Sequence, residues 1–262
     1  MIGFIGTGNM GGALLTAISK SGEPVSLSDA SASRAASLGQ ETGAVVTDNR
    51  TIAEKSDLVF LGVKPQTLPA LLSEIAPVLN ARNDEFAVVS MAAGTSIDRI
   101  KEMCGNKELP VIRIMPNLPV SVGAGAVLYH ADENVGEKTL DLFLRAMKGA
   151  GELYPMEERL IDAGSAVTGC GPAFVALVID AMADGAVSCG IPRKDALKLA
   201  EAMTIGTAKL LLEQEKQPGV LKDEVCSPGG TTICGVRELE AGNIRSAFIN
   251  AVVAAYEANG KL

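Results

Sequence analysis

The chain has 262 residues, 47% hydrophobic and 21% charged, a globular composition that excludes disordered and collagen-like chains. Acidic side chains outnumber basic ones by 31 to 23, and the net charge of −8 argues against a general binder of nucleic acid or anionic membrane. An anionic ligand must then be captured by local features acting against an unfavourable overall field.

Ile2–Ile5 is a short apolar run ending at glycines, and a helical pattern follows from Met10 to Lys20. Val25–Ser28 opens the next pair, with helical residues from Ser33 to Thr42. Ala44–Val46, Leu58–Val63, Ala87–Ser90 and Val111–Met115 continue the series. Leu58–Val63 is apolar throughout, the pattern of a strand covered on both faces. Ala126–Tyr129 and Glu152–Tyr154 close this half. Strands interleaved with helices predict an α/β fold with a doubly wound parallel sheet over residues 1–155.

After Met156 the texture changes. Alanine-rich stretches at Pro172–Ser188, Arg193–Glu215, Thr231–Glu240 and Arg245–Ala258 predict an all-helical half over residues 156–262. Pro172 suits a first helical turn and Gly190 a stop. Ala173–Val187 is apolar nearly all round, interrupted mainly by Asp180, Asp184 and Gly185, so it needs cover on most sides. A second subunit is the expected cover, ahead of the chain's own first half.

The longest uncharged stretches, Ile114–Ala131 and Ala163–Ile179, contain several glycines and prolines, so neither predicts a continuous membrane-spanning helix. No basic segment precedes an apolar stretch at the N-terminus, and no signal peptide is expected. Five scattered cysteines without a C-x-x-C pair, and a single histidine, His130, predict reduced thiols, a cytoplasmic setting and no metal site.

Gly6-Thr7-Gly8-Asn9-Met10-Gly11 is G-x-G-x-x-G between a predicted strand and a predicted helix, the context in which the motif cradles a dinucleotide pyrophosphate. Gly6 allows the tight turn, Gly8 the approach of backbone to phosphate, and Gly11 close helix–strand packing. The helix start offers free N–H groups to the anion. Asp29, at the end of the second strand, favours a free ribose 2′-hydroxyl, whereas Ser31, Ser33 and Arg34 beside it suit a 2′-phosphate. These residues leave NAD and NADP both open. Lys64 and Pro65 leave the fourth strand, Met91, Ala92 and Ala93 leave the fifth, and Asn117 follows the sixth; ligands of open α/β sheets sit at such strand ends.

Cys226-Ser227-Pro228-Gly229-Gly230-Thr231-Thr232 predicts a turn into a helix with Thr231 or Thr232 as its cap. Glycines and hydroxyls at a helix start can hold a small carboxylate. Asp180 and Asp184 share a helix face, where partnering at a cap or interface is expected over metal binding. His130 at a strand end is not expected to act as an acid. Cys170 and Cys226 have no nearby histidine to activate a thiol.

These stretches resemble the pyrroline-5-carboxylate reductase family over essentially the whole chain. The carriers are G-F-I-G-T-G-N-M-G from Gly3, V-K-P from Val63, S-M-A-A-G from Ser90, M-P-N-L-P from Met115, G-C-G-P-A-F from Gly169, A-M-A-D-G-A from Ala181, G-I-P-R from Gly190 and L-K-D-E-V-C-S-P-G-G-T-T-I from Leu221. The resemblance implies NAD(P)H-dependent reduction of L-1-pyrroline-5-carboxylate to L-proline, with NADPH as the preferred donor and NADH as the alternative. It implies a Rossmann-like domain followed by a helical dimerisation domain, in dimers that sometimes assemble into decamers. It also implies an active site between one subunit's cofactor domain and helices partly from its partner. Gly6, Thr7, Gly8, Asn9, Met10, Gly11, Asp29, Asn49, Gly62, Val63, Lys64, Pro65, Met91, Ala92 and Ala93 are then expected to touch cofactor, with Ser31, Arg34 and Asn117 added from the reading above. Ser227, Gly229, Gly230, Thr231 and Thr232 are expected to hold substrate, with Thr232 as the catalytic hydroxyl. Asp29 stands where family members often carry Ser or Thr, and Cys170 where Ser is common.

Two rival functions share part of this pattern. A β-hydroxyacid dehydrogenase shares the opening loop, but its catalytic lysine has no counterpart between Gly164 and Ser188. A non-catalytic dinucleotide sensor would not need the Ser227–Thr232 anion site.

Overall fold

The structure, a computed structural model, describes residues 1–259. By contact the chain divides into Met1–Gly169 with the segment beginning at Tyr256, and Cys170–Ala255. The first unit runs β1 (Ile2–Ile5), α1 (Asn9–Ile18), β2 (Val25–Ser28), α2 (Ala32–Thr42), β3 (Val45–Val46), α3 (Asn49–Lys55), β4 (Leu58–Leu61), α4 (Leu68–Leu79), β5 (Ala87–Ser90), α5 (Ile97–Cys104), β6 (Val111–Met115), β7 (Gly125–Ala131), α6 (Glu137–Met147), β8 (Gly151–Pro155) and α7 (Glu158–Thr168).

The described strands form one sheet in the order β3-β2-β1-β4-β5-β6-β7-β8, the Rossmann-like order about β1 and β4. The sequence predicts a parallel sheet, and the structure corrects this at one strand: β7 runs antiparallel to β6, with Arg113 opposite His130. A parallel return needs a long crossover, and the stiff Pro116–Ala124 link is too short to supply one. β1, β4, β5 and β6 are buried along their whole length because helices cover both faces, which is why their sequences read as mostly apolar runs, broken only by Ser90 in β5 and Arg113 in β6. One face packs Phe4 on Phe60, ring centroids 4.5 Å apart, with Leu14, Leu15, Ile114 and Phe143. The other gathers Ile5, Val59, Leu61, Ile75, Val88 and Val111. Helices α2, α3 and α5 start where Ser31, Asp48 and Ser96 accept the N–H groups of Arg34, Thr51 and Arg99.

Arg113 is buried in β6. Its Nη2 donates to Asp162 Oδ1 at 2.6 Å and its Nη1 lies 3.5 Å from Glu158 Oε1, which also accepts the Ile97 N–H at 2.7 Å. The guanidinium thus joins α7, β6 and the start of α5. Arg113→Met leaves two carboxylates facing each other without their cation. We expect it to lower the unfolding free energy by about 2 kcal/mol, less than a fully buried pair because both carboxylates keep access to water. Denaturant midpoints check this, and an unchanged midpoint would refute it.

The second unit is helical: α8 (Gly171–Ser188), α9 (Arg193–Gln214), α10 (Pro218–Val225), α11 (Thr231–Ala241) and α12 (Ile244–Asn259), whose last turn belongs to the segment from Tyr256. Arg193 at the start of α9 pairs with both Asp180 and Asp184 of α8, so those acids have a cation as partner. Of the large apolar side chains of α8, Val175, Leu177, Met182 and Val187 stay exposed, Leu177 to 70%. A patch of this kind marks an interaction surface. Glu158–Ser188, turned only at Gly169–Cys170, is long and apolar enough to cross a membrane by length and composition. The turn at Gly169–Cys170 divides it into α7 and α8, and Pro172 sits in the first turn of α8, where a helix tolerates it.

Candidate functional site

The loop after β1 is built on three glycines that meet at one carbonyl. Gly6 has φ 86°, a left-handed conformation that side chains rarely adopt. A Cβ added to Gly11 would lie 2.5 Å from the Gly6 oxygen, and one added to Gly62 would lie 2.1 Å from it. Only bare backbone lets α1 and the exit of β4 close on the loop together. Gly8 differs: nothing lies within 4 Å of its Cβ position. It is the N-cap of α1 and no side chain caps the helix, so the first-turn N–H groups stay open to a ligand.

Those groups face a cavity of about 590 Å³ lined by Gly8, Asn9, Met10, Gly11, Arg34, Gly62, Val63, Lys64, Met91, Met115 and Pro116. A neighbouring hollow of about 340 Å³ between α1 and α2 shares Gly8, Asn9 and Arg34 and adds Thr7. The structure therefore brings together most of the predicted cofactor residues. Met115 and Pro116 line it as well; their residue types carry no cofactor signal, but the end of β6 is where such residues belong. An uncapped helix start, backbone without side chains, and the cations of Arg34 and Lys64 fit a dinucleotide diphosphate.

Several predicted residues have partners within the protein. Asp29 accepts the Thr7 N–H at 2.7 Å, the Thr7 hydroxyl at 2.8 Å and the Ser31 N–H at 2.9 Å. Burial pushes its carboxyl up, but these donors and the Arg34 charge outweigh that and hold it below the usual carboxylate range. Ser31 also caps α2, 3.1 Å from the Ser33 hydroxyl. Asn49 accepts the Ser28 hydroxyl at 2.7 Å and donates to Glu74 at 3.1 Å. Asn117 is buried; it accepts the Ala126 N–H at 2.9 Å and donates to the Thr168 carbonyl at 2.9 Å, bracing the β6–β7 link away from the cavity lining. Pro65 starts the short turn after Lys64, Ala92 is buried in the core cluster on the opposite side of the sheet from Met91, and Ala93 packs with Met115.

In the second unit, α11 has Gly230 as its N-cap and no side-chain cap. This corrects the expectation that a threonine caps it: Thr231 and Thr232 are the first two helical residues, and both are exposed. Gly229 has φ 68°, and the Gly230 N–H closes the turn onto the Ser227 carbonyl at 3.0 Å. A Cβ on Gly230 would lie 2.3 Å from Ser227 Oγ. Three hydroxyls and open N–H groups thus share one helix start. His130 Nδ1 lies 2.9 Å from the Met156 carbonyl oxygen. Cys170 is exposed and Cys226 partly so.

Residues 158–262 match a family model described as pyrroline-5-carboxylate reductase dimerisation, and residues 1–94 one described as NADP oxidoreductase coenzyme F420-dependent. The pyrroline-5-carboxylate reductase of Methanosarcina acetivorans is 40% identical over 268 residues, covering all of this chain and 97% of the relative. A pyrroline-5-carboxylate reductase structure from Coxiella burnetii superposes with a TM-score of 0.91 at 32% identity, covering 99% of this chain and 97% of that one. The Plasmodium falciparum pyrroline carboxylate reductase with NADP bound gives a TM-score of 0.86 at 28% identity, with 99% and 97% covered.

Proposed function

The chain belongs to the pyrroline-5-carboxylate reductase family, and from that premise we propose a division of labour between its two uncapped helix starts. The reaction is reduction of L-1-pyrroline-5-carboxylate to L-proline with NAD(P)H, the last step of proline synthesis. Residues 1–155 bind the dinucleotide; residues 156–262 bind substrate and pair two chains as a homodimer, with α8 in the contact. Free cysteines fit a cytoplasmic enzyme.

The observation that carries the reading is the start of α11. Its N–H groups have no side-chain cap, and Ser227, Thr231 and Thr232 stand around them. They hold the single carboxylate of the cyclic imine, helped by the positive end of the helix dipole. Thr232 orients the ring nitrogen. When bound, the reduced nicotinamide supplies the hydride that becomes the new C–H bond. The ring nitrogen takes one proton, from solution or through the Thr232 hydroxyl, so C=N becomes CH–NH. A protonated imine is a strong electrophile, so positioning carries most of the effect and no histidine or lysine acid is required.

Following reduced-nicotinamide absorbance with chemically prepared pyrroline carboxylate tests the reading. Oxidation of the donor supports it. Oxidation only with a β-keto acid supports a hydroxyacid dehydrogenase, and none with either supports a sensor.

NADPH is the preferred donor in this proposal, with NADH as the alternative. Arg34 lines the cavity beside the Ser31 and Ser33 hydroxyls and, among the described residues, makes no ion pair of its own within 4.0 Å. A 2′-phosphate would supply one. Arg34→Gln should raise the KM for NADPH about tenfold and move that for NADH by no more than about twofold. Paired steady-state kinetics check this, and equal changes for both donors would remove Arg34 from the discrimination.

A further inference from the structure

An acidic residue at the end of the second strand of a dinucleotide fold ordinarily receives the ribose hydroxyls. Asp29 holds that position, yet the protein already engages its carboxylate. Oδ2 accepts both donors of Thr7, and Oδ1 accepts the Ser31 N–H. Thr7 is buried between Gly6 and Gly8, the two glycines that shape the phosphate loop. Ser31 in turn caps α2, the helix that carries Arg34. One carboxylate thus ties the exit of β2 to the middle of the phosphate loop on one side and to the start of α2 on the other.

We propose that Asp29 is a positioning residue that holds the Gly6–Gly8 loop ready for either dinucleotide, while discrimination between the two rests on Arg34. The proposal rests on the cofactor site described above and deepens it. Three donors on one carboxylate occupy most of its accepting directions and leave little for a ribose. The same donors stabilise the ionised form, which is the form that accepts all three bonds. Asparagine cannot replace it. Whichever way its amide turns, an NH2 faces an N–H of Thr7 or of Ser31, donor against donor.

The test is fluorescence titration of the full-length protein with NADPH and, separately, NADH. Asp29→Asn and Thr7→Val should each weaken both cofactors about tenfold, through lost charge-assisted bonds and lost preorganisation, with the affinity ratio held within about threefold. Thr7→Ser, which keeps the hydroxyl, should recover most of the affinity that Thr7→Val loses. A change in the ratio of tenfold or more in Asp29→Asn, by loss of NADH or gain of NADPH, would overturn the proposal and make Asp29 a ribose discriminator. Unchanged affinities in Thr7→Val would overturn it as well. Wild-type protein that binds neither dinucleotide would overturn the cofactor site itself, a result distinct from either of these.

Discussion

Gly62→Ala should cost the protein its dinucleotide. The added methyl would lie 2.1 Å from the Gly6 oxygen, 3.2 Å from its carbonyl carbon and 3.3 Å from Gly11 Cα. All three atoms are backbone, so no side chain can swing away. Gly6 is held at φ 86°, and Gly11 sits in the first turns of α1, so relief requires the loop to move away from β4 as a body. Such overpacking costs about 1–3 kcal/mol of stability, and displacement of the N–H cradle should weaken NADPH binding about 10²-fold. Gly8→Ala is the informative companion. Its Cβ meets no protein atom, so stability should hold while binding still falls, because the methyl enters the space left for the anion. Thermal unfolding alongside fluorescence titration separates the two. NADPH affinity of Gly62→Ala within about threefold of wild type would mean that the phosphate loop does not bind there.

Thr232→Ala should lower kcat about 10²-fold, the usual contribution of a positioned proton-transferring group, with the KM for NADPH unchanged. The helix start remains after the substitution, because Gly230 and not a threonine caps α11. Loss of the hydroxyl therefore leaves the N–H groups that hold the carboxylate, and the KM for substrate should rise by only a few-fold. This split distinguishes a group acting on the ring nitrogen from one that only binds. Turnover within about threefold of wild type would assign the proton to solution alone.

Much of the fold is legible in the residues. The runs at Ile2–Ile5, Val25–Ser28, Ala87–Ser90 and Val111–Met115 coincide with strands to the residue, because burial keeps them mostly apolar, with Ser26, Ser28, Ser90 and Arg113 as the polar exceptions. The direction of β7 is not legible, since a short apolar run looks the same in either sense and only the length of the link decides. Helices α7 and α10 do not stand out. Pro218–Val225 is short, opens with proline and glycine, and buries none of its residues, so it carries no periodic stripe. In the site, the spacing of Gly6, Gly8 and Gly11 announces the loop, but the part of Gly62 requires knowing that β4 lies beside β1. For Asp29 and Asn117, residue type reveals a capacity for hydrogen bonding; which partner takes it up depends on strands far apart in sequence.

The bare flank of α8 carries a thermodynamic consequence. In the proposed dimer, unfolding is also dissociation, so its free energy contains the logarithm of concentration. Dilution alone then lowers the melting temperature. In that dimer the cover over Leu177 comes from the partner, so part of each chain's stability is held by the pair.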